Sequence, residues 1–194
     1  PAAVFLGSGH PPNRDAARFL FENVCPALPE VTFLLIGSVC GWFVSYPLPS
    51  NVIPFGVVEE EQKNFLLQLC DVAVNPMAAG SGASLKIPDY LAAGLPVVST
   101  PIGARGGFAE TAEAVVTCEL GAFAATLRDL LGDPARLERL GRRAREAALD
   151  HYDWTVTLEP LVQRLGALTG GEPPHGPDAN SSPSPQRNSR NVPR

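Results

Sequence analysis

The fold this sequence predicts is a doubly wound α/β domain on a parallel sheet, and two observations predict it. Short apolar runs alternate with helical stretches from Ala3 to Thr117. Several of those runs are continuously apolar rather than alternating, which is the pattern of strands covered on both faces.

The first run, Ala3-Val4-Phe5-Leu6, is closed by Gly7-Ser8-Gly9, and His10-Pro11-Pro12 is read as blocking regular structure until Asn13. Asn13 is then the expected N-cap of a helix carrying Ala16, Ala17, Leu20, Phe21 and Val24, which Pro26 and Pro29 end. Val31 to Gly37 is the second strand and Asn51 to Gly56 the third. Glu59-Glu60-Glu61 opens a helix through Phe65, Leu66 and Leu69, and acidic residues suit that end of a helix. Asp71 to Pro76 is the next strand. Behind Gly80-Ser81-Gly82 a helix runs from about Leu85 to Ala93, with Gly94 at its end. Pro96 to Thr100 and Ala114 to Thr117 complete the sheet.

From Gly121 the pattern is helical: one helix to Leu131, a second opened by Asp133 as cap and Pro134 at its first position, and a third from about Asp153. The arginines of the second helix, Arg136, Arg139, Arg142, Arg143 and Arg145, read as a solvated face beside one apolar stripe. Beyond Gly170 the chain is rich in Pro, Ser, Asn and Gly, with almost nothing to bury. The expected division is a domain over residues 1–168 and a disordered tail over 169–194.

With 194 residues and 45% hydrophobic content, the chain can bury one core. Its net charge of -5 gives no basic surface for a phosphate backbone, so nucleic acid is a poor partner. No apolar run approaches the roughly 20 residues of a membrane span. Cys25, Cys40, Cys70 and Cys118 lie far apart in apolar surroundings, with no metal-ligand spacing. They read as buried thiols of a reducing compartment, and the location expected is cytoplasmic. The chain opens on Pro1 rather than Met and enters a strand at once, which reads as the middle of a longer protein.

Ligands of open parallel sheets bind beyond the carboxyl ends of strands. Two glycine loops stand there: Gly7-Ser8-Gly9, and Gly80-Ser81-Gly82-Ala83-Ser84 ahead of a helix. Small residues let backbone amides approach an anion such as a diphosphate. Lys86, in the first turn of that helix, conflicts with the helix dipole, and a bound anion would remove the conflict. Neither loop matches a P-loop or a full G-x-G-x-x-G, and there is no G-x-S-x-G, so a nucleotide hydrolase, a dehydrogenase and a serine hydrolase are all disfavoured. His10 reads as a loop residue with no partner to set its tautomer. His151 and Trp154 are expected to pack or cap the last helix.

The run from Asn75 to Thr100, with Gly80-Ser81-Gly82-Ala83-Ser84-Leu85-Lys86-Ile87-Pro88-Asp89 at its centre, resembles the donor-site segment of family 4 glycosyltransferases, retaining enzymes of the GT-B fold. Phe5 to Asn13 is similar to the start of their second domain, and Tyr152-Asp153-Trp154 to the segment before their last helix. The resemblance covers residues 1 to about 168. It implies one Rossmann-like half of a GT-B fold, binding a nucleoside diphosphate sugar. A separate N-terminal Rossmann-like domain would supply most of the acceptor site.

By this comparison Lys86 lies near the diphosphate and stabilises the leaving group, beside the amides of Gly82, Ala83 and Ser84 and the rest of the loop, Gly80 and Ser81. Gly7 and Ser8 face the phosphates from the other side. Gly56, Val57 and Val58 hold the base, and Asp89 hydrogen-bonds the ribose. No metal and no other cofactor are implied. The chain departs from the family at Ser81, which replaces a glutamate that usually contacts the sugar. It also lacks the usual basic pair after the first strand, with only Arg14 nearby and expected to face elsewhere. The activity expected is hexosyl transfer, incomplete in this half alone. The alternative is a catalytically inactive binding or assembly module. A related sugar-nucleotide epimerase would need carboxylates and a histidine in the cleft, of which this half offers few.

Overall fold

A computed structural model describes residues 1–106 and 113–169, so the expected tail lies outside the described residues except for its first residue, Thr169, which ends a helix. Among the described residues, six strands form one parallel sheet: β1 (Ala2–Leu6), β2 (Thr32–Ile36), β3 (Val52–Gly56), β4 (Val72–Asn75), β5 (Val97–Ser99) and β6 (Val115–Thr117). Their spatial order is β3-β2-β1-β4-β5-β6. The chain therefore winds outward in one direction, returns to the centre, and winds outward in the other. This is the doubly wound, Rossmann-like sheet that the apolar runs predict.

The helices are α1 (Pro11–Phe19), continued by a π-helical turn at Leu20–Val24, then α2 (Glu60–Gln68), α3 (Lys86–Ala92), α4 (Phe123–Leu131), α5 (Pro134–His151) and α6 (Trp154–Thr169). Alternation along the central strands sorts the core into two layers. Ala3, Phe5, Phe33 and Leu35 pack with Ala16, Leu20, Phe123 and Leu127 of α1, its π-helical turn and α4 on one face. Val4, Leu6, Leu34 and Ile36 meet Leu67, Ile87, Tyr90, Leu91 and Ala144 of α2, α3 and α5 on the other. Successive strand side chains point to opposite faces, so burial on both sides requires an unbroken apolar run. Pro54 is tolerated because β3 is an edge strand.

One boundary differs from expectation. Pro11 and Pro12 begin α1 rather than block it, and His10 takes the N-cap position, its carbonyl accepting from the amides of Asn13 and Arg14. A helix leaves its first amides without internal partners, so proline costs nothing there. Asn13 is therefore inside the helix and is not its cap. At α5 the expected cap holds: Asp133 accepts from the Arg136 amide at 2.9 Å. Its arginines lie outward, with Leu140, Ala144, Ala147 and Ala148 buried. Asp153 accepts from the Thr155 amide at the start of α6, while Trp154 is 74% exposed and packs little, contrary to its expected role. His151 is exposed at the end of α5. Cys25 and Cys70 are buried, and burial pushes both thiols up to about 12. Cys40 and Cys118 are only half-buried, so the reading of four buried thiols holds for two.

Tyr90 ties α3 to the sheet. It is wholly buried, and its hydroxyl accepts a hydrogen bond from the Leu6 amide at 2.7 Å, where β1 ends. Burial moves its phenol well above the ordinary tyrosine range. Tyr90→Phe removes the acceptor and strands a buried amide, a loss of about 1–3 kcal/mol. Urea unfolding of the two proteins should show that difference in midpoint with an unchanged slope.

Candidate functional site

A cleft of about 660 Å³ opens where the sheet reverses its winding, beyond the carboxyl ends of β1 and β4. Every residue that the sequence assigns to the donor site lines it except Gly56: Gly7, Ser8, Val57, Gly80, Ser81, Gly82, Ala83, Ser84, Lys86 and Asp89. Gly56 stands behind, its carbonyl accepting from the Gly37 amide at 2.6 Å. Val57 and Val58 take the position at the cleft edge. Arg14 is turned away, its guanidinium 3.9 Å from the centre of the Trp42 ring.

The amides divide differently from the sequence reading. The Gly7 amide donates to the Ile36 carbonyl at 2.9 Å and the Gly9 amide to Ser38 Oγ at 2.9 Å, so both are committed to joining the β1 loop to the end of β2. The Ser84 amide donates to the Arg105 carbonyl at 3.3 Å. The amides of Gly82 and Ala83 have no partner among the described residues, and both residues are exposed. The loop that presents them turns at Gly82, whose φ of +74° an L side chain rarely adopts. The pocket of amides is therefore smaller than the sequence suggests.

Cations make up the difference. Lys86 is the first residue of α3; its ammonium lies 2.8 Å from Asn13 Oδ1 and 4.2 Å from the centre of the Phe5 ring, with Met77 Sδ at 3.9 Å. Desolvation in these surroundings lowers its pKa to about 7. Arg105 and Lys63 also line the cleft, and sequence reading missed both. The Arg105 guanidinium bonds the Gly80 and Ile102 carbonyls, clasping the glycine loop. Lys63, on α2, lies 2.8 Å from Glu60 and 3.3 Å from Asp89. Burial alone would depress the Lys63 ammonium, but the two carboxylates outweigh it and hold it above its ordinary range. Asp89 thus enters the cleft already paired, whereas Lys86 and Arg105 have no carboxylate partner among the described residues. His10 lines the cleft as well, exposed at its mouth.

Beneath the loop is a buried polar network, also missed. Asn75 is fully buried at the end of β4; its Nδ2 donates to the Gly103 carbonyl at 2.9 Å and to Ser84 Oγ at 3.4 Å, and its backbone carbonyl accepts from Ser99 Oγ at 3.1 Å. Thr100 Oγ1 donates to the Met77 carbonyl and accepts from the Gly103 amide. The signal was present in sequence: otherwise apolar strands end on Asn75 and on Ser99-Thr100. Among the described residues, no three His, Cys, Asp or Glu side chains are grouped so as to hold a metal ion, and no helix is long and apolar enough to cross a membrane.

With this geometry in place, residues 1–133 match the family model for glycosyl transferases group 1. The chain belongs to the group 1 glycosyltransferases. Glycogen synthase of Mycobacterium tuberculosis is 31% identical over 110 residues, which is 55% of this chain and 26% of the synthase. HepE of Anabaena, solved in complex with UDP and glucose, superposes with a TM-score of 0.67 at 17% identity, covering 86% of this chain and 48% of HepE. The C-terminal domain of LpcC, a group 1 family protein of Francisella tularensis, gives 0.58 at 14% identity, covering 79% of this chain and 86% of that domain. The chain therefore has the Rossmann-like fold of a GT-B half. It spans about a quarter of the synthase and about half of HepE.

Proposed function

We propose that the cleft binds a nucleoside diphosphate sugar, and that this chain is the donor half of a retaining hexosyltransferase completed by a second, N-terminal Rossmann-like domain. One observation carries the reading: two cations without carboxylate partners among the described residues, Lys86 and Arg105, stand around one crevice at the sheet's switch point with the amides of Gly82 and Ala83, which have no partner among those residues either. Positive charge fixed in a partly desolvated cleft matches a diphosphate. The same reading is supported by family membership and by the UDP and glucose bound in HepE.

In the reaction, the bond from the sugar's anomeric carbon to the diphosphate breaks and the acceptor oxygen takes its place on the same face. Charge accumulates on the departing diphosphate, whose leaving oxygen lies on the same face and takes the acceptor's proton. Lys86 and Arg105 meet that charge, so the chain's own cations serve in place of a metal. Ser8 faces the phosphates from the β1 loop, and Asp89, held by Lys63, is offered to the ribose. A reducing, cytoplasmic setting fits the four free thiols.

Saturation-transfer NMR on the folded chain with UDP, GDP and their sugars tests this reading. Contact to at least one nucleotide sugar is expected, and silence from all of them would remove it. A second reading, a non-catalytic module of the same fold, is favoured by the Asp89–Lys63 ion pair and by Ser81 in the place of a carboxylate. Donor hydrolysis by the chain joined to an N-terminal domain separates the two: turnover supports the enzyme, and binding without turnover supports the module.

A further inference from the structure

Because α1 starts at Pro11, the side chain of Asn13 is not used as a cap. It spans the cleft instead. Its Nδ2 donates to Ser8 Oγ at 3.0 Å, and its Oδ1 accepts from Lys86 Nζ at 2.8 Å. Lysine has no acceptor, so the carboxamide oxygen must face Lys86 and the amino group must face Ser8. Three parts of the chain meet in this relay: the loop after β1, the first turn of α1 and the first residue of α3.

We propose that Asn13 is the positioning residue for Lys86, holding the ammonium at the junction of the two glycine loops without neutralising it. A lysine side chain is a flexible stem with a point charge and is fixed only by what it touches. Here the other contacts are the Phe5 ring face and the Met77 thioether, both weakly directional. Among the described residues, the carboxamide supplies the one strong, directional acceptor. A carboxylate at the same position would hold the lysine as firmly but would cancel its charge and repel an anion. The neutral amide cancels none of the positive charge that the protonated lysine presents to the cleft.

The consequence for a diphosphate rests on the proposed function; the placement of the ammonium does not. Among the described residues, the other ionisable groups lining the cleft are His10, Lys63, Asp89 and Arg105, and Asp89 is occupied by Lys63. The Lys86 side-chain resonances would be followed by NMR from pH 5 to 10 in the ligand-free wild type, Asn13→Ala and Asn13→Asp, with circular dichroism to check folding.

Asn13→Asp is close in size and should raise the Lys86 midpoint by about one to three pH units, while weakening UDP and inorganic pyrophosphate at least tenfold. Asn13→Ala should move the midpoint down and also weaken both. If both variants fold and Lys86 titrates as in the wild type, the positioning role is overturned; should Asn13→Ala fail to fold, the near-isosteric Asn13→Asp decides alone. If Lys86 shifts as expected but the wild type binds neither UDP nor pyrophosphate, the positioning role is supported and the nucleotide reading fails.

Discussion

Lys86→Met is expected to weaken nucleoside diphosphate binding roughly 10- to 100-fold while stabilising the empty protein. The two effects have one cause. The ammonium stands in a cleft that desolvates it, with a neutral amide, a ring face and a thioether for company, and its pKa falls to about 7 from 10.5. One pKa unit is worth about 1.4 kcal/mol, so keeping the ammonium charged in the empty cleft costs on the order of a few kcal/mol. Methionine has no charge to desolvate. The ligand, however, loses a charged donor worth about 1.5–3 kcal/mol.

The pH dependence has a definite sign. Between about 7 and 10.5 the unfolded chain holds a proton that the folded chain has released, so the Lys86 contribution makes stability rise with pH across that window. Below it the cost is felt in full, and above it the cost disappears. Urea unfolding should show Lys86→Met more stable than the wild type at pH 6.5, with the advantage shrinking toward pH 10. A diphosphate reverses the shift by giving the ammonium an anionic partner, so binding at pH 8.5 should take up a proton. Calorimetry in two buffers of different ionisation enthalpy measures that uptake. Equal affinity and equal proton count in wild type and variant would place Lys86 off the diphosphate.

The sheet was readable because it depends on local facts. Val4-Phe5-Leu6 and Phe33-Leu34-Leu35-Ile36 are apolar without interruption, and only a strand covered on both sides uses such a run. The glycine loop before Lys86 was readable for a similar reason, since small residues between a strand and a helix leave few other arrangements. What escaped depends on proximity in space. Lys63 belongs to α2 and Arg105 follows β5, and they enter one cleft only because the strand order brings β1, β2, β4 and β5 around a common opening. Pro11 and Pro12 misled because proline breaks a helix interior yet suits a helix start, and the sequence does not mark which position it holds. The Gly7 amide misled because its partner, the Ile36 carbonyl, lies on another strand.

That contact between β1 and β2 sets the second large effect, expected for Gly37→Ala. Gly37 follows β2 with a φ of +110°, and an added Cβ would fall deep inside the carbonyl oxygen of Gly7. Backbone cannot swing aside as a side-chain tip can. The Gly7 carbonyl also accepts from the Val39 amide at 3.1 Å, so any retreat breaks the link between the two strand ends. Unfavourable φ costs about 1–3 kcal/mol and overpacking a similar amount, which puts the expected loss at roughly 2–6 kcal/mol, with the β1 loop displaced from the cleft.

Two controls separate the terms. Gly56→Ala shares a left-handed φ, +74°, but its Cβ would meet nothing within 4 Å, so it should show the φ cost alone. Gly41→Ala has open space and no positive φ, and should be near neutral. Denaturant midpoints should therefore fall in the order Gly41→Ala, Gly56→Ala, Gly37→Ala. UDP binding should suffer most in the last, because Ser8 and the Asn13–Lys86 relay hang from the displaced loop. A Gly37→Ala protein as stable as Gly56→Ala would mean that the two strand ends are not held against each other, and the cleft's near wall would need another support.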